Sequence, residues 1–520
     1  MSDIDRRQLL KGAVAGLSSL ALLSLVEELR AAERSATLSR ADFAPAQPVT
    51  AITLGAGNRG NVYGGYAGKY PHQLDIVGVA EPVAVRNERY MARHDIAPAN
   101  SFVTWEHVFD RPKFADAVII STPDDLHQGP AMAALRAGYH VLLEKPVSPS
   151  LEECLEIREL TGESGRIVAV CHVLRYTPYF RELKRLVDVG AVGELVSIQH
   201  LEPIQHEHMA HSYVRGNWHD SRASTPIILG KSCHDLDILH WLAGRRCERI
   251  SAFGDLKWFR RANAPRGSTA RCADGCKVER DCPYSAVKLY LESDRWSYVF
   301  DLPRDEEREG TQRILDENPQ VIGRLAAALG KAGSPAGALS LVEADGALSA
   351  ELAALFGAGW QQRLTQFASG ASPVQLAAKK ELLATTNYGR CVYRTDNDQP
   401  DHYVANIQFE DSVTASFAME AFTSYHGRRT RIMGSMGDIV GDMGEMEHTD
   451  FRTGEKTRWQ PPNSDSGHGG GDFGLVYDWV RAISTGDSSG LTTTIDASIE
   501  SHAMALAAER SRLKGTVETL

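Results

Sequence analysis

Apart from one stretch near its start, the 520-residue sequence has no long apolar run. That stretch, Gly12 to Val26, is itself shorter than the roughly 20 apolar residues a bilayer-spanning helix needs. A basic surplus is also missing: 56 Lys and Arg stand against 67 Asp and Glu, a formal charge of −11. This argues against a nucleic-acid partner, because phosphate binding needs a basic face. Cysteine is too sparse, at eight in the whole chain, for a disulfide-dense scaffold. Fixed-period repeats and low-complexity tracts are absent. The zinc-protease spacing H-E-x-x-H is absent too. "HEHMAH" (His206 to His211) lacks it, and in a strand His206 and His208 simply share a face. What remains is a globular chain long enough for two or more domains.

Five short apolar segments punctuate the first third: "VTAITLGAGNRG" from Val49, "LDIVGVAE" from Leu74, "ADAVIISTP" from Ala115, "HVLLEKP" from His140 and "RIVAVCH" from Arg166. Helical patterns lie between them, at Asn61 to Tyr70, Ala84 to His94, Gly129 to Ala137 and Leu151 to Glu163. Strand and helix alternating at this spacing predict a doubly wound parallel sheet over 48–171. Beyond His172 the rhythm changes. "TPYFRELKRLVDVG" and "SCHDLDILHWLAG" read as helices. "ELVSIQHLEPI", "CERISAFGDL", "DHYVANIQFED", "SVTASFAMEAFT" and "RRTRIMGSMGDIVGD" read as strands of mostly antiparallel type. A second, α+β domain with a large sheet is therefore expected over 172–520. Within it, Asp305 to Lys379 is Ala- and Leu-rich and reads as a helical insertion.

Gly55-Ala56-Gly57-Asn58-Arg59-Gly60 matches G-x-G-x-x-G directly after a strand and before a helix. Glycines there let the backbone approach a pyrophosphate at a helix N-terminus, so Gly55, Gly57, Asn58, Arg59 and Gly60 are cofactor candidates. Glu81 ends the second strand where an acid binds the adenosine ribose. A carboxylate repels a 2′-phosphate, which favours NAD over NADP, although Arg59 and Arg86 stand nearby. A structural turn in another α/β sheet is the competing reading.

"STPDDLH" (Ser121 to His127) and "EKP" (Glu144 to Pro146) follow the third and fourth strands, at the carboxyl ends where open sheets bind ligands. Ser121, Thr122, Pro123, His127, Glu144 and Lys145 thus join the cofactor candidates. Together with GAGNRG, "HVLRYTPYF" and "SCHDLDILHWL", these elements resemble the glucose–fructose oxidoreductase/inositol dehydrogenase (Gfo/Idh/MocA) family. The resemblance implies an N-terminal Rossmann domain, a C-terminal α+β domain with a mostly antiparallel sheet, and a homo-oligomer, dimer or tetramer. It assigns Lys145 to the substrate hydroxyl near the nicotinamide and His234 to acid/base work. The chemistry agrees: removing hydride from a secondary alcohol needs a group to take the hydroxyl proton, and an imidazole titrates near neutrality.

One departure stands out. Many dehydrogenases of that family carry an Asp four residues before this His, and here the position is Gly230, followed by Lys231. Asp235 and Asp237 are possible substitutes. Arg175, Tyr176, Asn217, Trp218 and Lys231 are candidates to bind a polyol or sugar, and a plain loop competes for "VRGNWHDS". In "SGHGGGDF", His468 is a further substrate candidate and Asp472 the expected N-cap of the next helix.

Cys272, Cys276 and Cys282, with Cys391, could supply four thiolates for a structural zinc. A disulfide or free buried thiols remain open. At the N-terminus, "DRRQLLKG" resembles the twin-arginine export signal, with Arg6, Arg7 and Lys11 flanking the apolar core. An amphipathic helix or a membrane tether is the alternative, and Ser39-Arg40-Ala41 is the best cleavage candidate. The signal and linker would occupy 1–41 and place the protein in the periplasm, or in the cytoplasm if the signal does not function. The expected activity is an NAD(P)-dependent oxidoreductase on a sugar or cyclitol, with tightly held nicotinamide. An NAD-dependent glycoside hydrolase or lyase, or a non-catalytic binding protein, is the alternative.

Overall fold

The computed structural model describes Arg40 and residues 42–520, except 294, 304, 333, 334, 369–371 and 465. The segment read as a twin-arginine export signal lies outside the described residues. Six parallel strands form the first sheet: β1 (Val49–Leu54), β2 (Leu74–Ala80), β3 (Ser101–Phe102), β4 (Ala117–Ile120), β5 (His140–Leu143) and β6 (Val168–Val170). Their order is β3-β2-β1-β4-β5-β6. The chain starts centrally, winds outward to β3, then returns past β1. The sheet therefore reverses at β1/β4, the place where doubly wound sheets open a ligand crevice. β1 and β4 are buried on both faces almost throughout, which is why they read as continuous apolar runs. Four helices cover the sheet: α1 (Asn58–Lys69), α2 (Ala84–His94), α3 (Gln128–Arg136) and α4 (Leu151–Ser164).

The second domain is built on nine strands, β7 (Leu195–Pro203), β8 (Cys247–Asp255), β9 (His402–Phe409), β10 (Thr414–Glu420), β11 (Arg429–Gly434), β12 (Gly437–Gly441), β13 (Met446–Asp450), β14 (Lys456–Trp459) and β15 (Glu518–Thr519). Their order is β14-β13-β12-β11-β7-β10-β9-β8-β15. All described pairings are antiparallel except β10 with β7. Two helices, α5 (Pro178–Asp188) and α6 (Cys233–Ala243), contribute Phe180, Leu183, Leu236 and Leu239 to the core on one face of this sheet. The alternation in β9 (His402–Phe409), inward Tyr403, Ala405, Ile407 and Phe409, follows the two-residue strand period. Between the strands, helices from Glu306–Asp316 to Pro373–Thr385 form a bundle with its own core around Leu315, Leu352 and Trp360.

Two features depart from the sequence reading. The chain does not leave the first domain for good at residue 172. Helix α7 (Gly471–Thr485) buries Leu475, Val476 and Trp479 in the first-domain core, and α8 (Ile495–Lys514) adds Ile495 and Ile499. Deleting a fully buried side chain such as Trp479 costs about 3–5 kcal/mol. "HEHMAH" is not a strand: His206–His208 is a single helical turn that runs into a π-helix, Met209–Arg215. There His211 Nδ1 lies 2.9 Å from the Tyr290 hydroxyl, and its ring stacks at 4.3 Å on Trp296. It is a packed core histidine.

Candidate active site

The glycine fingerprint has the geometry its spacing requires. Gly55 has φ +91°, and a Cβ there would lie 2.6 Å from the Ser121 carbonyl oxygen. A Cβ on Gly60 would meet the Gly55 carbonyl at 2.1 Å, so the helix can approach the strand only with glycine. Gly57 is different: space around it is open, and no side chain caps α1. The open cradle and the uncapped N-terminus fit a pyrophosphate. Asn61 braces the turn by donating to the carbonyls of Ala56 and Gly57. Asn58 is exposed beside it. Glu81, 5 % exposed, accepts from the N–H of Ala56 at 2.8 Å and of Val83 at 2.9 Å. Its carboxylate is thereby held at the tip of β2, beside the fingerprint.

Several motif residues brace this cradle. Ser121 Oγ donates to the Gly55 carbonyl at 2.7 Å, and Thr122 Oγ1 to that of Leu126. The ring nitrogens of His127 lie 2.7 Å from the Pro146 carbonyl and 2.9 Å from that of Thr122. The loop that begins at Pro123 is so tied to the EKP segment. Arg59 departs from expectation, because it is not turned to a ligand phosphate. Its guanidinium binds Glu144 at 2.6 Å and Asp472 at 2.7 Å, and stacks on Tyr63. Burial pushes the Glu144 carboxyl up, but Arg59 and Lys145 outweigh it and hold it ionised. Asp472 is not the expected N-cap, a position taken by Gly470. It lies inside the first turn of α7 and accepts from Arg59 and, at 3.1 Å, from His468 Nδ1. This ionic chain couples EKP to the Gly-rich segment before α7.

Lys145 and His234, distant in sequence, come together across the two domains. Lys145 Nζ donates to the Gly230 carbonyl at 2.7 Å, on the turn leading into α6. His234, in the first turn of α6, is 5 % exposed. Burial first, then the nearby charges of Lys145, His172 and His468, pull its imidazole well below the ordinary value. It is therefore unprotonated at pH 7. Its ring centroid lies 5.9 Å from that of His172 and 6.0 Å from that of His468, and His172 continues to His502 at 5.5 Å. His502 is fixed by the Val147 N–H and the Ser498 carbonyl. Both ring nitrogens of His172 are buried without a hydrogen-bond partner, Nε2 lying 4.0 Å from the Asp237 carboxylate. Among the residues that sequence reasoning missed here, His172 carried a signal: it closes β6 at the ligand-binding end of the sheet.

The possible substitutes for the missing aspartate do not face His234. Asp235 accepts from Arg428 Nε at 2.6 Å and lies 3.0 Å from His200 Nε2, while Asp237 is clamped by Arg175 at 2.6 and 2.7 Å. Arg175 and Tyr176 are accordingly turned into the protein, not toward substrate: both are buried, and the Tyr176 hydroxyl pairs with Thr493. Lys231 is paired with Glu202 at 3.2 Å, which also binds Arg428. Trp218 Nε1 and Thr225 Oγ1 both donate to Asp124, bridging the first-domain loop to the second domain at the mouth of the cleft. Asp124 sits in the quoted STPDDLH motif, but nothing local showed that it would cross between domains. Asn217 is exposed next to Trp218, and His468 keeps 38 % of its side-chain surface.

The cysteines correct the metal expectation. Cys272, Cys276, Cys282 and Cys391 line one small cavity with Arg215 and Tyr284. All eight are free thiols, and no group of three or more His, Cys, Asp or Glu among the described residues could hold a metal ion. Burial pushes the Cys282 and Cys391 thiols up, so they are protonated packing groups. Neither the expected zinc site nor a disulfide is found among the described residues.

Residues 50–172 match the family model described as "Oxidoreductase family, NAD-binding Rossmann fold" (GFO_IDH_MocA). Over these residues the chain is similar to the Gfo/Idh/MocA oxidoreductases. Inositol 2-dehydrogenase 2 of Saccharopolyspora erythraea is 33% identical over 139 residues, 26% of this chain and 38% of that protein. The 1,5-anhydro-D-fructose reductase of Ensifer adhaerens is 28% identical over 170 residues, 32% of this chain and 49% of its own. The chain thus spans less than half the length of these curated relatives. Likeness in fold extends over nearly everything. An inositol dehydrogenase homolog from Azotobacter vinelandii, complexed with NADH and myo-inositol, covers 92% of this chain and 98% of its own, with TM-score 0.56 and 14% identity. An aldose-aldose oxidoreductase from Caulobacter crescentus, complexed with glycerol, covers 91% and 100%, with TM-score 0.55 and 14% identity. At that identity they show the two-domain fold alone.

Proposed function

We propose that this Gfo/Idh/MocA protein is an oxidoreductase that moves hydride between NAD and a secondary hydroxyl of a sugar or cyclitol. The observation that carries the reading is the meeting of Lys145 and His234 in one interdomain site above an open glycine cradle. Gly55, Gly57, Gly60 and Glu81 would hold the dinucleotide. When bound, its nicotinamide supplies the hydride acceptor. Lys145 polarises the substrate hydroxyl and stabilises the developing alkoxide charge. His234, neutral, takes the hydroxyl proton, and the carbinol becomes a ketone. Relatives named for inositol and for an anhydrofructose support a polyhydroxylated substrate. The test is mass spectrometry of nucleotide released from the purified protein, followed by a sugar and cyclitol panel read at 340 nm. Absence of any nicotinamide nucleotide, with no binding of added NAD, overturns it.

The "DRRQLLKG" segment favours a second possibility within the same chemistry: export by the twin-arginine route with the nucleotide already bound. An exported enzyme needs to regenerate its cofactor in place. It can do so by reducing a second substrate, or by oxidising transiently, eliminating and re-reducing. Chromogenic glycosides cleaved without net NADH would mark the eliminating reaction. Replacing Arg6 and Arg7 with Lys should leave the protein in the cytoplasm; unchanged export removes that part of the proposal. A homo-oligomer paired through the open face of the nine-stranded sheet belongs to the same reading. Phe253 and Val404, cross-strand neighbours there, are 64 % and 42 % exposed. Light scattering that shows a monomer at micromolar concentration would reject it.

A further inference from the structure

Arg86 lies in the first turn of α2, just beyond Glu81, where a cation in a Rossmann domain accommodates the 2′-phosphate of NADP. It is already engaged. Its Nε donates to both carboxylate oxygens of Asp301, at 2.9 and 3.1 Å, and each side chain is about a third exposed. Asp301 comes from the other domain, more than two hundred residues away in the chain. Its strap is held on both sides: Phe300 is buried in the second-domain core, and Arg89 donates to the Leu302 carbonyl at 2.6 Å. Asp301 therefore sits over α2 as a fixture of the domain junction, and Glu81 is close enough to Arg86 for the two side chains to interact electrostatically.

We propose that Asp301 is a nucleotide-specificity residue, which excludes NADP by occupying Arg86 and adding a second carboxylate beside Glu81. The inference rests on the dinucleotide reading above. A 2′-phosphate entering between Glu81 and Asp301 meets two anions and one cation that is already neutralised. The 2′-hydroxyl of NAD carries no charge and can donate to Glu81 at no such penalty. Because the Arg86–Asp301 pair is partly exposed, it contributes little to stability, so removing it alters recognition more than folding.

The experiment is calorimetric titration of the full-length protein with NAD and with NADP, for wild type, Asp301→Ala and Asp301→Asn. NADP should bind about tenfold more tightly to Asp301→Ala, equivalent to about 1.4 kcal/mol, while NAD affinity changes little. Asp301→Asn, which keeps the shape and drops the charge, should move in the same direction. It is also the variant to read if the alanine protein does not fold. Adding Arg86→Ala to Asp301→Ala should abolish the gain. If wild type binds neither nucleotide, the cofactor reading itself fails. If wild type binds NAD and the preference is unchanged in both variants, the proposal is overturned while that reading stands.

Discussion

The Nζ of Lys145 donates to the carbonyl oxygen of Gly230 at 2.7 Å, joining the EKP strand end of one domain to the turn that launches His234 in the other. Through this bond the ammonium is held beside an imidazole that burial and charge keep neutral. In the proposed reaction the two tasks of alcohol oxidation, charge stabilisation and proton acceptance, fall to two different side chains.

Replacing Lys145 with Met preserves the length of the side chain and removes its charge. Turnover should fall by about 10²–10³-fold, as for loss of a preorganised donor, while nucleotide still co-purifies. Steady-state rates and released nucleotide, measured on the same preparation, decide it. A variant with wild-type turnover would remove Lys145 from the chemistry.

Gly230 leaves no room for a side chain. A Cβ would stand 2.6 Å from Thr225 Oγ1, which is itself committed to Asp124. Gly230→Ala should therefore lose about 1–3 kcal/mol by overpacking, and adding Thr225→Ala should recover part of that loss. Urea melts of the single and double variants test this coupling; strictly additive losses would show that the clash is not the cause.

Arg175 and Asp237 form a buried bidentate pair, so their contribution is structural. Breaking it with Arg175→Ala should cost about 3–5 kcal/mol, because a carboxylate is left buried without its partner. The KM of whatever fraction stays folded should not change. A large rise in KM in a fully stable protein would return Arg175 to the substrate pocket.

Acid should destabilise this protein early. Burial pulls His172, His208 and His234 well below their ordinary value, and His211 and His502 down to about 3. Unfolded, each takes up a proton near pH 6.5; folded, each stays neutral. The unfolded chain thus binds more protons below about pH 6.5, and stability falls with decreasing pH by up to about 1.4 kcal/mol per unit for each such histidine. Above that pH the same groups contribute no slope. Melting temperatures from pH 8 to 5 should be flat and then drop steeply, and a flat profile down to pH 5 would contradict the buried, neutral ring cluster.

Lys145 and His234 were paired by family resemblance, whereas sequence alone determined the parallel sheet, the glycine cradle and the acid at the end of β2. Each rests on local spacing: strand-turn-helix alternation, glycines where backbone must approach backbone, and motifs at strand ends. Tertiary structure decided what side chains face once distant segments meet. Arg59, Arg175 and Lys231 look like ligand-binding cations in one dimension, yet each is claimed by a carboxylate, from Asp472, Asp237 and Glu202 respectively. The return of α7 and α8 to the first domain, the approach of His502 to His172, and the hold of Asp301 on Arg86 were equally invisible. A charged group's role depends on which opposite charge lies within a few ångströms, and pairs separated by tens to hundreds of residues leave no periodic trace in the chain.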